Sequence, residues 1–518
     1  MYEFLREFLK KEQLDALLVN STNEFLVEYN SLSENSRYAL TRFSGSTGDA
    51  VVTADKIFLF VDGRYHIQAD EEVNHDFVTV VKLQSGETFN SALIERLPKG
   101  SVLGVVAKKN SQFRVENFEK NYTVKLLSVD PLEKNSDTQQ ERIEDIPLEF
   151  TGKTSEEKIS ELRKNLAEND AILVSNLEEV SYLFNKRDFS KPYSSKILRR
   201  AIIFSDRAEL FSRADYEKFK ASLQSVKGRV FADKKSVNAR DFSLIKNKSV
   251  EFEKSPIAWM KAVKTEAEIA HYKACFARTD MAMRAIREYI ENNDGISEYD
   301  ISKKLEKYFY KFGAKSLSFN SIVAKDKNSA LAHYSKSSKD EIIQDGSLVL
   351  IDCGAYYEGG LATDITRVFV KGNTSELQKR VYTTVLKAFL TAFNTTVGEG
   401  VTGFDIDKKA RETFAKNPID GYVFNHGLGH GIGVSVHEYP PNLSCNELAK
   451  VELKENMCFT IEPGLYRENF FGVRLENSCY LKDKKIQSFS KMNYEKKLVD
   501  FSLLTAEEQV WLKDFEVI

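Results

Sequence analysis

Apolar residues fall along this chain in two alternating rhythms: helix-spaced positions among charges, and short unbroken runs with the signature of buried strands. Residues 15–30 read DALLVNSTNEFLVEYN and residues 170–185 read DAILVSNLEEVSYLFN, aligned without a gap at an offset of 155 (170 − 15). In each, an amphipathic charged helix leads into a short apolar strand, and a second helical stretch follows. The helix before the second copy opens with Thr154 and Glu157, a capping box in which each side chain satisfies a free amide of the other. The pattern predicts two α/β domains related by duplication.

Between the copies, DPLEKNSDTQQERIEDIP is polar and nearly free of large apolar side chains, which reads as a linker or exposed helix over residues 130–148. The second domain runs to about residue 254. Beyond Ser255-Pro256 a long helix begins at Thr265, with a second capping box formed by Thr265 and Glu268. Glycine-punctuated strands follow in SLVLIDCG, DITRVFV, MCFTIEPG and GVRLENSCYL. Residues 255–518 are long enough for a third domain, as expected when a chain of 518 residues exceeds the size of a single core.

Composition narrows the class. Hydrophobic residues make up 42% and charged residues 29%, and the net charge is −3 with both signs spread along the chain. That balance supplies neither a basic footprint for nucleic acid nor a polybasic membrane patch. Five widely spaced cysteines without a CxxC pair argue against a disulfide framework or a thiolate zinc site. The N-terminus is charged every few residues, and no apolar run reaches membrane-spanning length. The expectation is a cytoplasmic, multidomain protein.

Candidate chemistry lies in the third segment. Four of the seven histidines, His333, His426, His430 and His437, fall within about a hundred residues of it, three of them in FNHGLGHGIGVSVHEYP. His426 and His430 have helical spacing, but Gly427, Gly429, Gly431 and Gly433 disfavour a helix. A glycine-rich strand or bend that approaches a ligand closely is predicted instead. Asp352 interrupts an apolar strand, where a carboxylate is costly, and Asp364 opens the next strand. A hairpin centred on residue 358 sets these two directly opposite each other. Glu462 and Glu476 repeat the device about residue 469. Facing like charges destabilise a sheet. Exposure at a sheet edge, or pairing with Arg367 and Arg474, is one remedy. Two divalent cations are another, since they neutralise all four at once, with His430 completing the set. Such a donor set suits Mn²⁺ best, with Zn²⁺, Co²⁺ or Fe²⁺ as alternatives.

The order IDCGAYYEGGLATDITR, HGLGHGIGVSVHEYP, TIEPGLY, GVRLEN resembles the pita-bread metallopeptidases, which include methionine aminopeptidase, prolidase and aminopeptidase P. LTRFSGSTGDAVVT, FVDGRYHIQA, EEVSYLFNKRD, SPIAWMKAVKTEAEIAHYKACFARTD, SLSFNSIVAKDKNSALAHYS and the tail LLTAEEQVWLKDF extend the likeness to the three-domain aminopeptidase P family. The resemblance implies an α/β (α+β) fold, with creatinase-like domains at 1–147 and 148–254 and a pita-bread catalytic domain at 255–518. It implies cleavage of the bond between an N-terminal residue and a following proline, by a hydroxide bridging two divalent metals. Asp352, Asp364, His430, Glu462 and Glu476 would be the metal ligands, with Asp364 and Glu476 bridging and Glu462 shuttling the proton. His333 and His437 would bind the substrate carbonyl and the oxyanion, His426 would line the proline pocket, and Arg474 would orient ligand carboxylates. Its partners would be peptides with proline second, and a second copy in a homodimer.

The Asp352–Asp364 spacing of 12 (364 − 352) is one longer than in similar enzymes, with the extra residue in the turn at 357–362. A turn insertion is cheap, so metal binding should survive it. Cys353 should point to the opposite strand face, into the core. Three other readings stay open: a prolidase acting on Xaa-Pro dipeptides, a metal-free creatinase-like enzyme, and a non-catalytic relative that binds protein partners. The apparent duplication counts against the first and the five-residue set against the second. The missing acidic tail and intact ligands count against the third.

Overall fold

Strands Ala16–Val19 and Ala171–Val174 stand at the 155-residue offset of the sequence echo, and each is the pivot of its own sheet. The structure, a computed structural model, describes residues 2–28, 30–63, 65–84, 87–133, 141–252, 255–332, 334 and 336–515. It divides into two compact units. One comprises residues 1–140, 159–180 and 198–255, the other residues 141–158, 181–197 and 256–518.

In the first unit, the six-stranded sheet has the order Val78–Lys82, Ile57–Val61, Asp49–Thr53, Ala16–Val19, Val102–Val106, Thr123–Leu127. The five-stranded sheet has the order Ala208–Phe211, Arg200–Phe204, Ala171–Val174, Val230–Ala232, Ser249–Glu251. Each pivot strand is antiparallel to one neighbour and parallel to the other, so the second sheet repeats the first without its outermost strand. The repetition reaches side chains. Asp15 accepts the amide of Val102 at 2.7 Å, and Asp170, its counterpart, accepts that of Arg229 at 2.7 Å. Both pivots are buried along their whole length, which explains why ALLV and AILV show no polar alternation.

The copies diverge after the strand. Helix Leu177–Leu183 follows in the second, whereas residues 20–28 form no helix. There the Asn23 carboxamide accepts the amide of Phe25 and Leu26 takes a left-handed φ of 57°, a local alternative that asparagine offers to the backbone. The interdomain segment also departs from expectation. Residues 134–140 lie outside the described residues, but Ile143–Asp145 is a strand paired with Lys186–Asp188, followed by the turn of helix Leu148–Thr151. Both predicted capping boxes are present, Thr154 with Glu157 and Thr265 with Glu268.

The second unit is organised around the sheet Ile322–Lys325, Leu348–Cys353, Ile365–Val370. Period-two alternation sends Leu348 and Leu350 into an apolar cluster with helix Glu376–Phe393. Val349, Ile351 and Cys353 go to the opposite face, into a cluster with helices Glu266–Asn292 and Glu298–Lys311. Cys353 is fully buried there, its thiol 3.2 Å from Met283 Sδ. A five-stranded sheet follows in the order Glu438–Leu443, Gly429–Gly431, Cys458–Ile461, Asn477–Lys482, Lys485–Ser488, with the separate ladder Gly464–Arg467 against Phe471–Arg474. Within the histidine-rich stretch Gly429–Gly431 is a short strand and residues 433–437 bend, in line with the glycine-rich strand or bend expected there. Any Cβ on Gly429 would sit 2.0 Å from the Thr460 carbonyl. Among the described residues no helix is long and apolar enough to cross a membrane.

Candidate metal centre

Asp352 occupies the face of its strand that Leu348 and Leu350 share, one step past the end of the apolar run. Its register partner is Thr366, not Asp364. The hairpin is centred on residue 359 rather than 358, as the bridge between Tyr356 and Ala362 also shows. Asp364 is therefore diagonal to Asp352. A displacement of two residues keeps the face unchanged, so Asp352, Asp364 and Thr366 still project to one side, with a hydroxyl where the like charge was expected. The turn responsible is fixed by its surroundings. Arg278 forks onto Glu358 at 2.6 and 2.9 Å, the Gly359 amide donates to His271, and the Gly360 carbonyl accepts from Arg187 and Ser195. The second hairpin is centred on residue 469 as its sequence predicts, and Glu462 and Glu476 lie two residues past its last pair, Gly464 with Arg474.

Three of the four carboxylates are held by a neighbour through one oxygen. Arg474 Nη2 donates to Asp352 Oδ2 at 2.6 Å, and Thr366 Oγ1 donates to Glu476 Oε2 at 2.7 Å. Thr460 Oγ1 donates to Glu462 Oε1 at 3.3 Å. Asp352 Oδ1, Asp364 Oδ1 and Glu476 Oε1 are buried without a hydrogen-bond partner. Asp364, His430 and Glu476 bring ligand atoms within 4.8 Å of one another. Burial, reinforced by the neighbouring carboxylates, holds the Asp364 and Glu476 carboxyls well above the ordinary range. Glu462 is pushed up to about 8 by burial, with Arg474 opposing the shift. Of the two arginines considered from the sequence, only Arg474 pairs with a site carboxylate. Arg367 donates to the carbonyls of Thr366, Glu476, Met492 and Asn493 and to Asn477 Oδ1. Buried carboxylate oxygens left without donors are costly, and oxygen donors with one imidazole are the set a hard or borderline divalent cation takes. The residues fit such ions.

His430 Nδ1 lies 3.0 Å from the Gly431 carbonyl, which can only accept, so that nitrogen carries the proton. The Nε2 lone pair is left facing Asp364 at 3.6 Å and Glu462 at 3.4 Å. Burial lowers the pKa of His430, which keeps the ring neutral. His437 is exposed, its ring centroid 4.4 Å from that of His430. His426 Nδ1 likewise donates to the Gly427 carbonyl, so Nε2 accepts the Tyr466 hydroxyl at 2.9 Å. The Tyr466 oxygen accepts in turn from Arg474 Nη1 at 2.9 Å. Burial first, then the Arg474 charge, brings His426 down to about 3. His333 lies outside the described residues. Thr366, Thr460 and Tyr466 were not singled out from the sequence, although Tyr466 closes the TIEPGLY motif.

Residues 270–483 match the model of metallopeptidase family M24, and residues 2–135 and 134–268 match two models of the creatinase/prolidase N-terminal domain. A probable Xaa-Pro aminopeptidase P of Ajellomyces capsulatus (strain NAm1 / WU24) is 30% identical over 584 residues, covering 99% of this chain and 93% of that one. The chain belongs to the aminopeptidase P family of M24 metallopeptidases. A probable Xaa-Pro aminopeptidase P of Blastomyces gilchristii (strain SLH14081) is 29% identical over 581 residues, with the same coverage. The crystal structure of an X-prolyl aminopeptidase from Caenorhabditis elegans, described as a cytosolic enzyme with a di-nuclear active site, matches 97% of this chain and 90% of its own. Its TM-score is 0.86 at 23% identity, which establishes a common fold. A dipeptidase from Pyrococcus horikoshii OT3 matches 66% of this chain and 98% of its own, with a TM-score of 0.55 at 24% identity. The fold is thus mixed α/β, two creatinase-type N-terminal domains followed by an M24 domain.

Proposed function

We propose that this protein is a metal-dependent Xaa-Pro aminopeptidase, which hydrolyses the bond between an N-terminal residue and a following proline. The observation that carries the reading is the set of three buried carboxylate oxygens without hydrogen-bond partners beside a lone imidazole Nε2. Full-length likeness to Xaa-Pro aminopeptidases P favours this activity over that of a prolidase. Asp352, Asp364, His430, Glu462 and Glu476 hold two divalent cations, and the oxygen-rich donor set favours Mn²⁺. When bound, the ions supply Lewis acidity and an activated water.

The chain's own residues do the rest. Thr366, Arg474 and Thr460 each hold one oxygen of a ligand carboxylate and aim the other inward. The Gly431 carbonyl fixes the His430 tautomer. Glu462, beside His430 at the margin of the cluster, accepts and returns the proton of the reaction. His437 and His333 hydrogen-bond the substrate carbonyl and the oxyanion. Neutral His426, held by Tyr466, lines the proline pocket. Three domains, meeting near residues 147 and 254, carry this site as a homodimer in the cytoplasm; the cytosolic C. elegans enzyme supports that location.

Metal analysis together with hydrolysis of an Xaa-Pro-Xaa tripeptide and an Xaa-Pro dipeptide tests the assignment. Two bound metals and release of the first residue from the tripeptide are expected. Turnover of the dipeptide alone would make the protein a prolidase. Inactivity on both substrates with two metals bound would refute the reading.

A further inference from the structure

We propose that Glu438 is a positioning residue, whose carboxylate, clamped by Lys261 and Lys264, sets the loop that carries His437 against the His430 imidazole. The inference rests on the role given to His437 above.

His437 is exposed, yet the next residue is among the most deeply buried charges of this unit. The Glu438 side chain is 1% exposed, and those of Lys261 and Lys264 are each 3% exposed. Glu438 opens the strand Glu438–Leu443 directly after the bend that ends at His437, so one peptide link joins a buried carboxylate to an exposed imidazole. Lys261, on helix Pro256–Ala262, approaches Glu438 Oε2 at 2.8 Å, and Lys264 approaches the same oxygen at 3.5 Å. Lys264 is itself fixed. Lys264 Nζ donates to the Lys261 carbonyl at 2.5 Å, and the Lys264 amide donates to the Asn456 carbonyl at 3.0 Å. Glu438 Oε1 accepts the Ser435 amide at 3.2 Å, so the loop folds around the carboxylate. Gly433 leaves room for it, since a Cβ there would lie 2.3 Å from the Glu438 carboxylate.

The outer side of the same loop is tied as well. The Ala362 amide donates to the Gly433 carbonyl at 2.7 Å, Ser195 donates to the Val434 carbonyl at 3.2 Å, and Lys196 donates to Ser435 Oγ at 2.9 Å. A buried ion cluster is rarely a better source of stability than apolar packing of the same volume. Its position one residue from His437 is accounted for by geometry. Burial would raise the Glu438 pKa, but Lys261 and Lys264 outweigh it and hold the group at about 2. The Glu438 carboxylate is therefore ionised at neutral pH.

The test is a double-mutant cycle in the full-length, Mn²⁺-loaded protein, reading kcat and KM on a proline-containing tripeptide together with bound metal. Glu438→Gln and His437→Ala should each lower kcat about 10- to 100-fold, with metal content unchanged and KM moved by about twofold or less. In the His437→Ala background, Glu438→Gln should cost nothing further, because the residue it positions is gone. A merely structural role would lower activity equally in both backgrounds, and such additivity, or loss of metal in Glu438→Gln, overturns this proposal alone. Full activity of His437→Ala would overturn the histidine's role and this inference with it. If Glu438→Gln fails to fold, Lys264→Met, which keeps the 2.8 Å pair, carries the cycle with the same two outcomes.

Discussion

Removing one carboxylate from the centre should stabilise the metal-free protein, an inversion of what deleting a ligand usually does. Asp364 and Glu476 offer ligand atoms within 4.8 Å of each other. At an effective dielectric of about 20, two unit charges at that distance repel by about 3 kcal/mol. Proton uptake sets a ceiling. Holding a group with an ordinary pKa of 3.8 protonated at pH 7 costs about 4 kcal/mol, so the penalty cannot exceed that figure. Asp364→Asn removes one charge, and the new amide can donate to Glu476 Oε1, which lacks a partner. A gain of roughly 2–3 kcal/mol follows, or on the order of 5 °C in the melting temperature of a unit this large. The sign of the pH dependence is determined by the raised carboxyls. The folded state holds more protons than the unfolded one, so stability is lost as pH rises from the ordinary carboxylate range toward the raised values. Chelator-stripped wild type should melt lower at pH 8 than at pH 5.5, and Asp364→Asn should show a smaller decline. Mn²⁺ should rescue the wild type at pH 8 and leave the inactive variant unmoved. If stripped Asp364→Asn melts at or below stripped wild type at pH 8, the carboxylates are not in mutual repulsion and the cation argument fails.

Tyr466→Phe removes the hydroxyl between Arg474 and His426 and should lower kcat/KM about tenfold with both metals retained; unchanged kinetics would detach this relay from the site. Gly429→Ala places a Cβ against the Thr460 carbonyl and should destabilise the second unit by on the order of 3 kcal/mol or more. Thermal melting and metal stoichiometry report both effects, and a variant that keeps its metals and its melting point would show that the close approach is dispensable.

Periodicity makes much of this molecule legible in its sequence. The echo between residues 15–30 and 170–185 marks two pivot strands of like connectivity, because a central strand buried on both faces must read as an unbroken apolar run. The glycines around His430 disfavour a helix on conformational grounds, and a short strand stands there. Register was less accessible. Symmetry between two aspartates suggests a hairpin centre at 358, but turn closure depends on Arg278, His271, Arg187 and Ser195, all distant in sequence, and they settle it at 359. Nor does sequence reveal which hydroxyl faces which carboxylate. Thr366 and Thr460 look like ordinary strand threonines until the ladders place them. Glu438 is hidden in the same way, since its partners lie 177 and 174 residues upstream (438 − 261 and 438 − 264).

How the fold holds four carboxylates together explains why the centre is so heavily supported. One guanidinium, that of Arg474, pairs directly with one of them, and the remaining repulsion works against folding unless cations offset it. The supports are neutral donors, Thr366 and Thr460, which orient single oxygens without neutralising them. Neutral donors preserve the charge that a cation needs, whereas added arginines would have satisfied the site permanently. The Arg367 guanidinium, buried nearby, follows the same logic by bonding to carbonyl and amide oxygens and leaving the ligand carboxylates free. Apolar clusters on both faces of the strand that carries Asp352 supply the compensating stability. The strain of the metal-free centre is thus borne by the core around it.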